Sequence, residues 1–189
     1  MRTAFKEWAV IVDALGRGDQ ILILRKGGVS EGRGGFRIEH PRFLLFPTLY
    51  HQQRESVTPD AQARFDEIAP RFPPPELVRI KYFAEAVMWR KLDSLSAAES
   101  LRGQHCWRDE FIEARFDWGK AKDIFAIAVR VYRLPLALEL PMLANYGGCK
   151  SWVELDKDLP LIGAVPVLEG PVFDRLLQRF LAALNPVAT

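Results

Sequence analysis

Residues 123–134 read DIFAIAVRVYRL, the strongest strand signal in the chain: an apolar run rich in β-branched residues that stops at Pro135. Upstream of it, LVRIKYFAEAVMWRKLD (77–93) combines partial alternation with aromatic residues, which predicts one long strand or a strand pair. The intervening residues change period. SLSAAESLRG (94–103) reads as a short helix with Ser94 or Ser96 as its cap, Glu99 within capping-box reach, and Gly103 as its end. CWRDEFIEARFDWG (106–119) spaces Trp107, Phe111, Ala114 and Trp118 three to four residues apart, which predicts a second amphipathic helix ending before Gly119.

Working outward, GGCKSWVEL (147–155) predicts a strand entered through a glycine turn. Val172, Leu176, Leu177, Phe180, Leu181 and Leu184 define one apolar helical face with Pro171 in its first turn, so the chain should end as a docked helix. Towards the N-terminus, Phe5, Trp8, Ala9, Val12 and Leu15 recur at helical spacing before Gly16 and Gly18. A helix with a glycine stop is expected there, and a strand over 9–15 competes with it. QILILRK (20–26) reads as a buried strand, GGVSEGRGG (27–35) as a turn, and FRIEH (36–40) and RFLLFPT (42–48) as further strands. TPDAQARFDEIA (58–69) predicts a helix capped by Thr58 or Asp60.

PRFPPPE (70–76) can neither continue a helix nor sit in a central strand, so it is read as a linker. It divides the chain into an N-terminal α+β part, 1–72, and a second α+β part, 76–189, which could equally pack as one compact domain. Helices and strands follow without regular βα alternation, and the expected fold class is therefore α+β.

Composition narrows the function classes. The net charge of +2, from 26 basic and 24 acidic residues, gives no general pull toward nucleic acid or lipid, so any polyanion site must be local. The two cysteines, Cys106 and Cys149, lie far apart without CxxC or Cys/His spacing, which argues against a disulfide framework and a zinc knuckle. No cofactor is expected, and a reducing cytoplasm fits best. Lys6, Glu7 and Asp13 interrupt the first apolar stretch, which is neither a signal peptide nor a membrane span, and no other membrane segment is read.

The densest set of functional side chains lies in RKGGVSEGRGGFRIEHPRFLLFPTLYHQ (25–52). Arg25, Lys26, Gly27, Gly28 and Arg37 are candidate phosphate-binding residues, because a glycine-rich loop can turn backbone N–H groups toward an anion. The order of a P-loop is absent, and an exposed charged hairpin is the competing reading. Glu39, His40 and His51 are candidates for acid–base work or metal binding, although alternation would put Glu39 and His40 on opposite strand faces; no metal is expected. Cys149, between two glycines and Lys150, is a candidate nucleophile if a histidine stands near it; packing beside Trp152 is the competing reading. Glu154 and Asp156-Lys157, with Glu7 or Asp13 as a distant partner whose pairing nothing fixes, offer only a fragment of a metal-dependent nuclease pattern. Arg79, Lys81, Tyr82, Trp89, Arg90 and Lys91, and later Arg130, Tyr132 and Arg133, interleave cations with aromatics in the manner of surfaces that bind single-stranded nucleic acid. Half of those side chains should point into the core.

The 25–52 stretch, together with LRGQHCWRDEFIEARFDW (101–118), VYRLP (131–135) and YGGCKSWVEL (146–155), resembles the bacterial family called domain of unknown function 1802, over almost the whole chain. That family has no activity to transfer onto residues; its occasional fusion to restriction-endonuclease-like domains implies a nucleic-acid or defence context. Residues 77–158 are also similar in layout to the ASCH group of PUA-like domains, which implies a small β-barrel that binds RNA or modified bases. The expected function is thus RNA or DNA binding, with an enzyme built on the Glu/His cluster or a protein-interaction module as alternatives.

Overall fold

The computed structural model describes residues 1–26, 40–49, 54–148 and 150–185. In chain order its elements are β1 (Thr3–Trp8), α1 (Ala9–Arg17), β2 (Leu22–Arg25), β3 (Arg42–Thr48), α2 (Pro59–Ile68) and β4 (Leu77–Leu92). They continue with α3 (Leu95–Glu99), α4 (Asp109–Asp117), β5 (Ile124–Pro141), β6 (Trp152–Glu154), β7 (Val165–Pro166) and α5 (Gly170–Leu184). Among the described residues the strands form one mixed sheet in the order β2-β5-β4-β3-β1-β6, with β7 beside the second half of β5. The fold is α+β, a curled sheet with helices packed on it and a C-terminal helix docked on the core. Strands from both sides of the proline stretch are interleaved in this sheet, with β5 and β4 lying between β2 and β3.

Each sheet face carries its own apolar cluster, as period-two alternation requires. Phe5, Phe43 and Leu45 belong to the core shared with α1, α4 and α5, whereas Ala4, Leu44 and Phe46 belong to a second core with Val153, Leu155 and Leu159. β5 is buried from Ile124 to Val129, the first six of its eighteen residues.

The N-terminal reading needs correction. Residues 3–8 are a strand, not the start of a helix, because β1 sits between two partners: Phe5 pairs in parallel register with Leu45 and antiparallel with Trp152. Helix begins only at Ala9. The glycine stop is Gly18, at φ 80°, where the N–H of Gly18 reaches the Leu15 carbonyl and that of Asp19 reaches Ala14. β5 also runs past Pro135 to Pro141. The register jumps from Tyr82↔Arg133 to Ile80↔Leu138, so Pro135 falls in a bulge where no ladder bond is asked of its missing N–H.

Ser94 caps α3, accepting a 3.2 Å bond from the Ala97 N–H, while Glu99 turns to Arg102 at 3.0 Å and completes no capping box. Thr58 holds the cap position of α2 without a side-chain bond. The inward face of α4 is Ile112 and Phe116; Trp118 lies beyond its end and is 71% exposed. α5 is anchored by Phe173 and Phe180, two turns apart, with Leu176, Leu177, Leu181 and Leu184 packed around them. Removing the Ser94 hydroxyl (Ser94→Ala) should cost about 1 kcal/mol, read from urea unfolding, since one orphan helix N–H loses its acceptor.

Candidate functional site

Gly27, Gly28, Arg37, Glu39, His51 and Cys149 lie outside the described residues. Arg25, Lys26 and His40 are described. Arg25 ends β2; its guanidinium donates to the Lys6 carbonyl at 3.2 Å and to Ser151 Oγ, lies over the Phe5 ring at 4.7 Å and stands 3.9 Å from the Glu7 carboxylate. The Lys26 ammonium donates to the carbonyls of Phe116 and Asp123, each at 2.9 Å, and to that of Ala121, with the buried Asp123 carboxylate 3.6 Å away. Asp123 also takes Lys91 at 3.0 Å. Both cations are thus engaged by the fold itself, Lys26 as a clamp between β2 and the α4–β5 connection. His40 meets the edge of the Trp152 indole with centroids 5.1 Å apart. The ends of β2 and β3 therefore do converge on β6: Arg25 touches Ser151, and His40 touches Trp152.

Two further charged residues belong to this neighbourhood: Arg115, which sequence reasoning passed over, and Glu7, which it considered only as a distant partner in a nuclease pattern. Glu7 is 4% exposed; its Oε1 accepts the Trp8 N–H at 2.7 Å, and its Oε2 has no hydrogen-bond partner. Arg115, on α4, lies over Phe111 at 4.6 Å and Trp8 at 5.8 Å. Burial pulls the pKa of Arg115 down, with Glu7 acting against that pull and Arg25 adding to it. Neither residue stands in a motif.

The other cationic cluster separates into two fates. Lys91 pairs with Asp123, the Tyr132 hydroxyl donates to Glu85 at 3.0 Å, and Arg130 lies over Phe173 at 5.3 Å, so these serve the core. Arg79, Lys81 and Tyr82, by contrast, border a cleft of about 260 Å³ between β4, α1, α2 and the turn after α2, where Arg64, Arg71 and Phe72 join them. Lys81 and Tyr82 are consecutive and would face opposite ways on a regular strand. The β4–β5 register shift falls between Ile80 and Tyr82, and a bulge re-aims side chains in this manner.

Two of the cleft cations are held in place. Arg64 donates two bonds to Asp13, at 3.0 and 2.9 Å, and a third to Glu67; the Asp13 bond above all raises its pKa. Arg79 pairs with Glu139 at 2.7 Å. Arg71 and Lys81 have no carboxylate partner among the described residues, nor does Arg133, which faces Tyr82 across the ladder. Four cations line the cleft against the carboxylates of Asp13 and Glu67. Tyr82 forms its wall; burial raises its phenol pKa, so it stays protonated at neutral pH.

Gly16 makes that wall possible. A Cβ at residue 16 would stand 2.3 Å from Tyr82 Cζ, so only glycine lets the ring lie on α1. Gly16→Ala should displace Tyr82 and cost on the order of 1–3 kcal/mol despite alanine's better helix propensity, measurable by urea unfolding.

Behind α1, His105 is buried, accepts the Trp107 N–H on Nδ1 at 3.3 Å and has no partner for Nε2. Burial pushes its pKa down to about 4. Its folded pKa lies below the unfolded value of 6.5, so this contribution is fully present above pH 6.5 and is lost as pH falls toward 4. Unfolding titrations should show roughly 3 kcal/mol of stability disappearing across that window, and a much flatter profile in His105→Gln. Next to it, burial pushes the Cys106 thiol up to about 12, which removes it as a nucleophile.

These features define a class: an α+β protein whose curled sheet carries a cation-lined, aromatic-walled cleft under its N-terminal helices. A family model described as Domain of unknown function (DUF1802) matches residues 4–179, and the chain belongs to that family. The chain is similar to the crystal structure of ASCH from Zymomonas mobilis at 12% identity and a TM-score of 0.46, covering 93% of each chain. It is likewise similar to the S128A mutant of that protein, at 10% identity and a TM-score of 0.47, covering 93% of this chain and 94% of the other. No curated protein matches it. No helix among the described residues is long and apolar enough to cross a membrane.

Proposed function

We propose that this protein binds single-stranded nucleic acid, RNA in the first place, along the α2–β4 cleft. One observation carries the reading: among the described residues, Arg71, Lys81 and Arg133 stand without carboxylate partners around the Tyr82 ring, with Phe72 beside them. Unpaired cations meet phosphates and release their counterions, while aromatic side chains offer sequence-tolerant stacking for bases. Arg64, fixed by Asp13, adds an oriented guanidinium, and the near-neutral net charge makes this a local footprint.

Fluorescence anisotropy of a labelled single-stranded RNA dodecamer tests the proposal. Three phosphate contacts at roughly 0.7 each give a slope of about −2 in log affinity against log salt. Absence of binding at 50 mM salt, or affinity independent of salt, would refute it.

A further inference from the structure

The Arg115 neighbourhood is charged, largely shielded from water and incompletely bonded. The guanidinium is oriented by the rings of Phe111 and Trp8, at 4.6 and 5.8 Å, yet among the described residues no carboxylate or carbonyl accepts its N–H groups. Glu7 does not supply that acceptor: its Oε1 is taken by the Trp8 N–H, and its Oε2, 3.9 Å from Arg25, is unbonded although the residue is only 4% exposed. The Trp152 indole Nε1 is also buried and without a partner. Trp152 stacks edge-on against Phe5 at 4.7 Å, Phe5 lies under Arg25 at 4.7 Å, Arg25 stands 3.9 Å from Glu7, and the charges of Glu7 and Arg25 act on Arg115, so contacts link the two buried unbonded atoms and the Arg115 guanidinium through one neighbourhood of β1, β2, α4 and β6.

Buried polar atoms left unbonded are costly, and two of them, Glu7 Oε2 and Trp152 Nε1, beside a guanidinium without an acceptor point to a ligand that completes them. The groups specify its chemistry. Unbonded N–H donors outnumber the single unbonded acceptor, and two arginines face one glutamate, so the ligand is an oxyanion. It must also offer one hydrogen to Glu7 Oε2. A carboxylate or sulfate has none to give at neutral pH. A phosphate monoester, with a second pKa near 6, is partly protonated and provides both anionic oxygens and a hydroxyl. An internal phosphodiester carries no such proton and is tethered on both sides.

We propose that Arg115, the Trp152 indole N–H and Glu7 Oε2 form a second site that takes a phosphate monoester, the terminal phosphate of a nucleic-acid strand. The choice of a strand as its source rests on the function proposed above. Glu7 is 4% exposed, so the ligand reaches its Oε2 only with a shift of the side chains over it.

Nitrogen-edited NMR of the ¹⁵N-labelled full chain provides the test, with the Trp152 indole and Arg115 Nε signals as reporters. Inorganic phosphate and then UMP should shift both signals saturably, and sulfate at equal ionic strength should shift them at least tenfold more weakly. Arg115→Gln should abolish the response, while Arg115→Lys, which keeps the charge and the fold, should weaken it. The Arg71→Ala/Lys81→Ala variant should respond like the wild type. In parallel, terminally phosphorylated octauridylate should bind about tenfold tighter than the hydroxyl-ended strand, and Arg115→Gln should erase only that difference. No shift with phosphate or UMP, an equal response to sulfate, or an unaltered response in Arg115→Gln overturns the site, whether or not the octamer binds. If UMP shifts the signals and neither octamer binds, the site stands and the strand-binding cleft falls.

Discussion

Replacing Lys26 with alanine should lower the unfolding free energy by about 3–5 kcal/mol, the scale for removing one partner of a buried ion pair. Lys26 closes the sheet to the α4–β5 connection through the carbonyls of Phe116, Ala121 and Asp123 and through the Asp123 carboxylate; the Asp123 side chain is buried and that of Lys26 is only 11% exposed. In the variant three carbonyls lose their donor, and among the described residues Asp123 keeps Lys91, whose side chain is half exposed. Urea unfolding checks the number. A change below about 1 kcal/mol, the size expected for an exposed pair, would show that the clamp carries little. The variant also separates two readings of one residue. If Lys26 is structural, the protein that remains folded binds RNA with nearly wild-type affinity; if it contacts phosphate, affinity falls first.

The double substitution Arg71→Ala/Lys81→Ala should weaken RNA binding on the order of 10–100-fold at 50 mM salt and flatten the salt slope by about 1.4, two contacts at roughly 0.7 each. Neither residue has an ion-pair partner among the described residues, and both are exposed, so unfolding should change by no more than about 0.5 kcal/mol. Anisotropy at several salt concentrations gives affinity and slope together. A loss of affinity with an unchanged slope would mean that these side chains do not meet phosphates.

Strands β3 and β5 and helix α5 were legible because their patterns coincide with burial: the RFLLFPT run is β3 in full, and the 172–184 apolar face docks as expected. The resemblance carried by residues 25–52 and their companion motifs is met by the family match over 4–179. The N-terminus misled because a strand passes directly into a helix at Trp8, so Phe5, Trp8, Val12 and Leu15 keep a helical spacing by coincidence of that junction. Pro135 misled because a bulge spares it a ladder bond, which no local pattern reports. Around α4 the predicted spacing holds in part: Trp107, just before the helix, and Phe111 pack on the core, whereas Ala114 and Trp118 are exposed and Ile112 and Phe116 take the inward face.

For the sites, residue type was informative and charge balance was not. Arg79, Lys81 and Tyr82 could be noticed as a cluster, but their meeting with Arg64, Arg71 and Phe72 depends on α2 folding back over β4. Arg25 and Lys26 stand out equally in sequence, yet the fold engages both. Glu7 and Arg115 carry no motif; only the missing hydrogen bonds mark them, and those exist only in three dimensions.

Photocrosslinking of a single-stranded RNA containing 4-thiouridine, followed by mass spectrometry of the labelled peptides, tests the central claim most directly. The cleft predicts adducts on Phe72 and Tyr82, lost in the Arg71→Ala/Lys81→Ala variant at matched protein concentration. Adducts confined to Trp89 or Trp118, or adducts on Tyr82 that persist undiminished in that variant, would contradict it.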